Sequence, residues 1–363
     1  MRPASDHPAR CGIILAAGEG KRLQPLVRQL RGDNLPKQYV TFIGRRSMLE
    51  HTFDRVERLI PRERTVTVVS QDHLNYPAVC RQLAGRPHGT VIAQPENKDT
   101  LPGILLPLMH LYKRHPEATV AVFPSDHFIF EEDLFMSHVA TAFQAVERNP
   151  SLFVLLGLEP NEVEPEYGYV LPHGATEEKP AGLTLRRVGQ FVEKPDRDAA
   201  RALIGRGGLW NTMVMVFKVQ SLLEIVRKIV PELLASFEEI KNALGAPDEA
   251  DRVRALYRNL SPENFSRGIL EKLPSHRPAC LSVLSVRGVL WSDWGLPRSI
   301  EKVLKMIDYR ESLYDPRKGA PATRLWRAFT ALGREQGGQR ADISPLKKQP
   351  VGRLSSVRPV PGY

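Results

Sequence analysis

Five short runs of β-branched and aliphatic residues, at 11–17 (CGIILAA), 65–70 (TVTVVS), 90–94, 119–124 (TVAVFP) and 152–158, each end in a polar or turn residue. Between several of them lie stretches, at 47–58, 101–113 and 133–147, whose apolar residues recur at spacings of three and four, the period of an amphipathic helix. This alternation leaves few architectures. Parallel strands need long crossovers, helices supply them, and helices on both faces bury the strands. The pattern predicts an α/β fold: Rossmann-like, with a mostly parallel mixed sheet covered by helices on both faces. In such sheets ligands bind beyond the carboxyl ends of the strands, so residues suited to chemistry should follow the strand runs. Glycines follow the first run, a Gln-Pro the third and an Asp-His the fourth.

From about residue 160 the runs become shorter, as at 183–193 and 209–217, and are separated by Gly, Pro and charged turns. A helical stretch at 221–260 follows, then strand-like runs at 280–284 and 288–291. The expected organisation is an arm at 1–9, one domain at 10–315 with halves at about 10–158 and 159–315, and a Pro-, Gly- and Arg-rich tail at 316–363. The tail carries a helical stripe of Leu325, Trp326, Phe329 and Leu332. It also explains the net charge of +10: residues 317–363 hold ten Lys or Arg against two acidic residues, leaving 41 basic against 39 acidic in the body. A near-neutral body and a tail with few aromatics do not point to nucleic acid as a partner, and the tail reads as solvated disorder.

Three cysteines, Cys11, Cys80 and Cys280, are odd in number and far apart, which suggests neither a disulfide framework nor a zinc cluster. The apolar run at 12–17 leads directly into charged residues and reads as a buried strand, not a signal-peptide core. No segment approaches the ~20 apolar residues of a membrane span. A soluble, cytoplasmic protein is expected.

The stretch LAAGEGKRLQPL places Gly18 and Gly20 between a strand and a helix, with Lys21 and Arg22 beside them. Backbone N–H groups and two cations could there surround phosphates; a tight turn with solvated basic residues is the plain alternative. A third glycine of a dinucleotide fingerprint would fall on Leu23, and a P-loop would need Ser or Thr where Arg22 stands, so neither motif applies.

After this loop come Pro36, Lys37 and Gln38, then AQPENKDTLPGI from Ala93, FPSDHFI from Phe123, YGY at 167–169, FVEKPD from Phe191, WNT from Trp210 and WSDWG from Trp291. Together, in this order, they resemble the sugar-phosphate nucleotidyltransferase family, most closely its mannose-1-phosphate guanylyltransferase branch, over about residues 11–310. The resemblance implies a nucleotidyltransferase (GT-A-like) fold with a nucleotide-binding first half and a sugar-binding second half. It also implies transfer of a nucleotidyl group from GTP to mannose 1-phosphate with release of pyrophosphate. By the family pattern Arg22, Lys37 and Lys194 would act on the phosphates. Ala16, Ala17, Gly18, Gly20, Lys98, Thr100 and Ser125 would bind nucleotide; Gly168, Tyr169, Glu193 and Asn211 would bind sugar. Asp126 and Asp293 would hold Mg2+, two hard carboxylates brought together from distant loops. A homodimer is a possible assembly.

Plainer readings stand beside these. Asp126 could cap a helix, Asp293 could be a buried hydrogen-bonding residue, Gly168 an ordinary turn glycine, and Trp210, Trp291 and Trp294 core. The chain also departs from the branch. Lys98 and Asp99 stand where Arg and Asn are usual, Thr212 and Met213 where Ser and Gly are, and Pro165 and Glu166 where Thr and Gly are. Asp99 would add negative charge near phosphates, so another base or sugar, or a catalytically silent sensor of nucleotide sugars, remain alternatives.

Overall fold

A computed structural model describes residues 9–174, 185–276 and 280–314, with side chains up to 307. The expected N-terminal arm, apart from residue 9, and the basic tail at 316–363 lie outside the described residues.

The strands, in chain order, are β1 (Arg10–Ala16), β2 (Thr65–Ser70), β3 (Val91–Gln94), β4 (Thr119–Pro124), β5 (Phe128–Ile129), β6 (Phe153–Leu158), β7 (Gly168–Pro172), β8 (Leu185–Glu193), β9 (Leu209–Lys218), β10 (Leu281–Val286) and β11 (Trp291–Ser292). Among the described residues they form a nine-stranded sheet of order β3-β2-β1-β4-β9-β6-β10-β8-β7 and a two-stranded ribbon of β11 and β5. The run β3-β2-β1-β4 is parallel, as is β6 with β10. β9 is antiparallel to both neighbours. It comes from the second half of the chain yet lies between β4 and β6, so the two halves share one sheet.

The helices are α1 (Gln24–Arg31), α2 (Met48–Val56), α3 (Pro77–Leu83), α4 (Thr100–Arg114), α5 (Glu132–Arg148), α6 (Arg197–Gly205), α7 (Val219–Ile229), α8 (Pro231–Ala243), α9 (Glu249–Asn259), α10 (Leu273–His276) and α11 (Pro297–Tyr314). They cover both faces. One core packs α1, α2, α5 and α11 on the sheet, with Leu26, Phe53, Phe143 and Ile300 among its members. The other packs α4, α7, α8 and α9, with Leu105, Ile225, Phe237 and Tyr257. α4 is apolar around most of its circumference, from Leu101 to Met109, as a helix between a sheet and other helices must be.

Local chemistry sets the element ends. Ser47 and Glu50 form a reciprocal capping box at the start of α2, satisfying two otherwise orphaned N–H groups. The helical stretch expected at 221–260 consists of α7, α8 and α9. Pro231 has no N–H to continue α7 and opens α8 at its first position, where proline is tolerated; Gly245, at φ 80°, marks the second break. β5 and β7 have no counterpart among the sequence-based runs, and β11 overlaps the run at 288–291 only at Trp291, because two- and five-residue pairings carry almost no periodic signal.

Candidate active site

The glycine loop after β1 is fixed from below by the Pro36-Lys37-Gln38 segment. Gln38 Nε2 donates to the carbonyls of Ala16 (2.7 Å) and Gly18 (2.8 Å), and the Tyr39 hydroxyl donates to Ala16 O (3.0 Å). Gly20 has φ 61°, and a Cβ there would lie 3.2 Å from the backbone N of Lys37. Both the left-handed backbone and the close approach therefore call for glycine. Nothing lies within 4 Å of a Cβ built on Gly18, which leaves that part of the loop open. The Ser125 hydroxyl, expected at the nucleotide, instead donates to Leu15 O at 2.6 Å; it ties the end of β4 to β1.

Lys37 is the hub. Its buried ammonium makes an ion pair with Asp126 Oδ2 (2.9 Å) and donates to the carbonyls of Asp293 (2.6 Å) and Trp294 (3.2 Å). Two loops far apart in sequence thus meet at one nitrogen. The β5–β11 ribbon brings them there: Phe128 is opposite Ser292 and Ile129 opposite Trp291, so Asp126, just before β5, and Asp293, just after β11, emerge side by side. Asp293 Oδ1 accepts from the Tyr167 hydroxyl (3.1 Å) and the Gly295 N–H (2.9 Å). Trp294 holds a left-handed backbone, φ 46°, a strained conformation of the kind found near functional sites.

Burial pushes the Asp126 carboxyl up, but Lys37 and His127 more than offset this and hold it below its ordinary value. Burial pushes the His127 imidazole down, against the pull of Asp126 and Asp293, so it favours the neutral form. Asp126 caps no helix, since β5 follows it. Among the described residues no group of three or more His, Cys, Asp or Glu could by itself hold a metal ion. The Asp126 carboxylate on Lys37 and the Asp293 carboxylate on the adjoining loop, both hard oxygen donors, nevertheless suit a hard divalent cation that takes its other ligands from phosphate and water.

A cavity of about 390 Å³ opens here, lined by Gly20, Lys21, Arg22, Lys37, Asn97 and Asp126 among others. Arg22 reaches its rim, where its guanidinium pairs with Glu166 Oε2 at 2.8 Å; both side chains are nearly half exposed, so an entering polyphosphate can take over the arginine. A larger cavity of about 620 Å³ lies behind His127 and Trp294, lined by Phe42, Phe128, Phe130 and Leu134. It contains none of the residues assigned from sequence.

Gly168, Glu193 and Asn211 form a second cluster on adjacent strands. Gly168 lies opposite Glu193 in the β7–β8 pair. A Cβ on Gly168 would stand 2.7 Å from Glu193 Oε2 and 3.5 Å from Asn211 Cβ, so only glycine leaves this space free. Burial pushes the Glu193 carboxyl up, with Lys194 and Ser266 opposing. The side chain of Tyr169 is not available to a ligand: it is fully buried, its hydroxyl donating to Glu164 O (3.1 Å) and accepting from Trp210 Nε1 (3.1 Å).

Tyr167 joins the two clusters. Its hydroxyl holds Asp293, and its carbonyl accepts from the N–H of Lys194 at 3.2 Å. The loop before α4 is tied inward too. Asp99, at φ 67°, caps α4 by accepting from Thr100 N (2.6 Å) and also accepts from Asn264 Nδ2 (3.1 Å). Its charge is thereby engaged at a helix N-terminus, where anions are favoured. Lys98 pairs with Glu96 at 3.0 Å, and Thr100 Oγ1 accepts from Phe265 N at 2.8 Å. Sequence reasoning assigns no role to Gln38, Asn97 or Tyr167, although all three stand inside the quoted motifs.

The family model described as Nucleotidyl transferase matches residues 11–308. The chain belongs to this nucleotidyl transferase family. Xanthan biosynthesis protein XanB of Xanthomonas campestris pv. campestris (strain B100) is 30% identical over 222 residues, covering 61% of this chain and 44% of that protein. Mannose-1-phosphate guanylyltransferase of Escherichia coli is 28% identical over 232 residues, covering 64% of this chain and 47% of that one. The chain thus spans about half the length of these curated relatives. Among solved structures, that of a mannose-1-phosphate geranyltransferase from Thermus thermophilus superposes with a TM-score of 0.67 at 28% identity, covering 81% of this chain and 78% of that one. These likenesses support the nucleotidyl transferase fold. No helix among the described residues is long and apolar enough to cross a membrane.

Proposed function

We propose that this nucleotidyl transferase joins a sugar 1-phosphate to a nucleoside triphosphate and releases pyrophosphate, most specifically mannose 1-phosphate and GTP to give GDP-mannose. The observation that carries the reading is the convergence on Lys37 of Asp126 and the Asp293 loop, beside a braced glycine loop. In the reaction an ionised oxygen of the sugar phosphate bonds to the α-phosphorus, and the bond from that phosphorus to the oxygen bridging it to the β-phosphate breaks. Pyrophosphate leaves with the electron pair. The attacking oxygen is already ionised at neutral pH, so no general base is needed, and positioning and charge govern the rate.

Ala16, Ala17, Gly18 and Gly20 offer backbone to the nucleotide, Arg22 and Lys37 balance the triphosphate, and Lys194 holds the sugar phosphate. Gly168 lets the sugar approach the backbone while Glu193 and Asn211 meet its hydroxyls. Asp126 and Asp293 would hold Mg2+, which when bound shields the phosphates and stabilises the charge on the leaving pyrophosphate. Names of relatives favour mannose 1-phosphate and the guanylyl group; other bases and sugars are the nearest alternative. Capping of α4 by Asp99 engages its carboxylate at the helix N-terminus and so weakens the objection that its charge would repel phosphates. A silent sensor is disfavoured because each phosphate- and metal-directed residue of the pattern is present. Free thiols at Cys11, Cys80 and Cys280 suit the reducing cytoplasm.

The test is Lys194→Ala. Loss of one charge-assisted contact to the sugar phosphate should raise its KM about tenfold or more, with the nucleotide KM within about twofold of the original. Equal rises in both would contradict the assignment of Lys194.

A further inference from the structure

Lys194 adopts φ 50°, a backbone conformation that a side chain with a Cβ takes only when its surroundings impose it. Two hydrogen bonds hold this turn. The Lys194 N–H donates to Tyr167 O at 3.2 Å, and the N–H of Glu193 donates to the side-chain carboxylate of Glu271, Oε1, at 2.8 Å. β7 flanks β8 on one side here, but on the other the pairing with β10 covers only Leu185–Arg187, so a distant carboxylate takes the place of a strand carbonyl at Glu193. Glu271 belongs to none of the groups assigned above.

Glu271 is itself firmly placed. It follows the π-helical turn Ser266–Leu270, and its own N–H closes that turn on Ser266 O at 2.9 Å; single π turns recur at functional positions. The segment leading into the turn is bonded to the loop before α4: Glu263 N to Lys98 O (3.0 Å), Leu101 N to Glu263 O (3.0 Å) and Phe265 N to Thr100 Oγ1 (2.8 Å). Phe265, Ser266, Ile269 and Leu270 are buried, so the turn is a rigid base. Around the Glu193 carboxyl stand Lys194, Ser266, Arg267 and Glu271.

We propose that Glu271 is a positioning residue for the sugar phosphate: by accepting the Glu193 N–H it holds the strained turn that presents the Glu193 carboxylate and the Lys194 ammonium. The proposal rests on the reading of Glu193 and Lys194 as sugar-phosphate contacts. The mechanism requires an oxygen acceptor at this place, not a negative charge, and that distinguishes it from electrostatic tuning of Glu193.

Two variants of the full chain test it, Glu271→Ala and Glu271→Gln, with steady-state kinetics and hydrogen exchange of a peptide covering residues 191–194. Glu271→Ala should raise the KM for sugar 1-phosphate about tenfold, change the nucleotide KM by less than about twofold, and speed exchange at the Glu193 amide. Glu271→Gln, whose amide oxygen can accept the same bond, should restore both readouts to near the original. If Gln behaves as Ala does, the acceptor role is wrong. If both KM values rise together in Ala, the residue merely stabilises the fold. Exchange that follows the expected order in a protein using no sugar 1-phosphate would leave the positioning intact and overturn the functional reading instead.

Discussion

Replacing Lys37 with Met should abolish most of the turnover, by about a hundredfold or more, and destabilise the fold as well. Met keeps the bulk of the buried stem but removes the nitrogen that binds Asp126 and the carbonyls of Asp293 and Trp294. On the catalytic side, the cation proposed to face the phosphates is lost, an effect of the size seen when a strong electrostatic contact to a transition state is removed. On the structural side, Asp126 is left without its ion-pair partner and two carbonyls without a donor. Breaking a fully buried pair costs about 3 to 5 kcal/mol. The Asp126 side chain is 36% exposed, so roughly 1 to 3 kcal/mol is the better expectation, nearer the behaviour of solvated pairs.

This destabilisation carries a pH signature. Asp126 has a folded value below its ordinary 3.8, so its contribution to stability is fully present above 3.8 and disappears as pH falls through the lower, folded value. The difference in Tm between the original and Lys37→Met should therefore be widest near neutrality and narrow in acid below 3.8. A gap that does not change with pH would mean that the lost carbonyl bonds alone account for the destabilisation.

Substituting Asp126 or Asp293 with Asn should lower turnover by about a hundredfold or more and shift the magnesium concentration needed for half-maximal rate upward. Asp293→Asn is the cleaner of the two. Its Oδ1 accepts from the Tyr167 hydroxyl and the Gly295 N–H, and an amide oxygen can accept both, so Tm should move little. Asp126→Asn also takes the counter-charge from Lys37 and should cost some stability in addition. Were these aspartates purely structural, the outcome would reverse: Tm would fall by the equivalent of ~1 to 2 kcal/mol while magnesium dependence stayed as it was.

Much of this site could be anticipated because α/β sheets place ligands beyond strand ends, and the β1, β2, β4 and β6 runs are visible to within a residue as apolar, β-branched stretches. The meeting of Asp126 with the Asp293 loop follows from the same rule. What actually brings them together, a two-residue ribbon of β5 and β11, is too short to leave a period in the sequence. The insertion of β9 between β4 and β6 is equally hidden, since antiparallel pairing across so long a separation is decided by tertiary packing, not by local pattern.

Motif letters also say which residues cluster but not which atoms remain available. Lys37 is expected at the triphosphate, and its ammonium also carries a structural load, binding Asp126 and two carbonyls. Ser125 and Tyr169 lie in the right motifs, yet their hydroxyls are engaged with Leu15 and with Glu164 and Trp210. Conversely Glu271 carries no motif-level signal of its own, because its role is a single bond to a backbone N–H.

The most direct measurement is pyrophosphate release by the purified chain with magnesium, across four nucleoside triphosphates and a panel of sugar 1-phosphates. The account predicts saturable release that needs both substrates, is greatest with GTP and mannose 1-phosphate, and is largely lost in Asp293→Asn. A folded protein that binds nucleotide but releases no pyrophosphate with any pair, or that releases it without a sugar 1-phosphate, would contradict it.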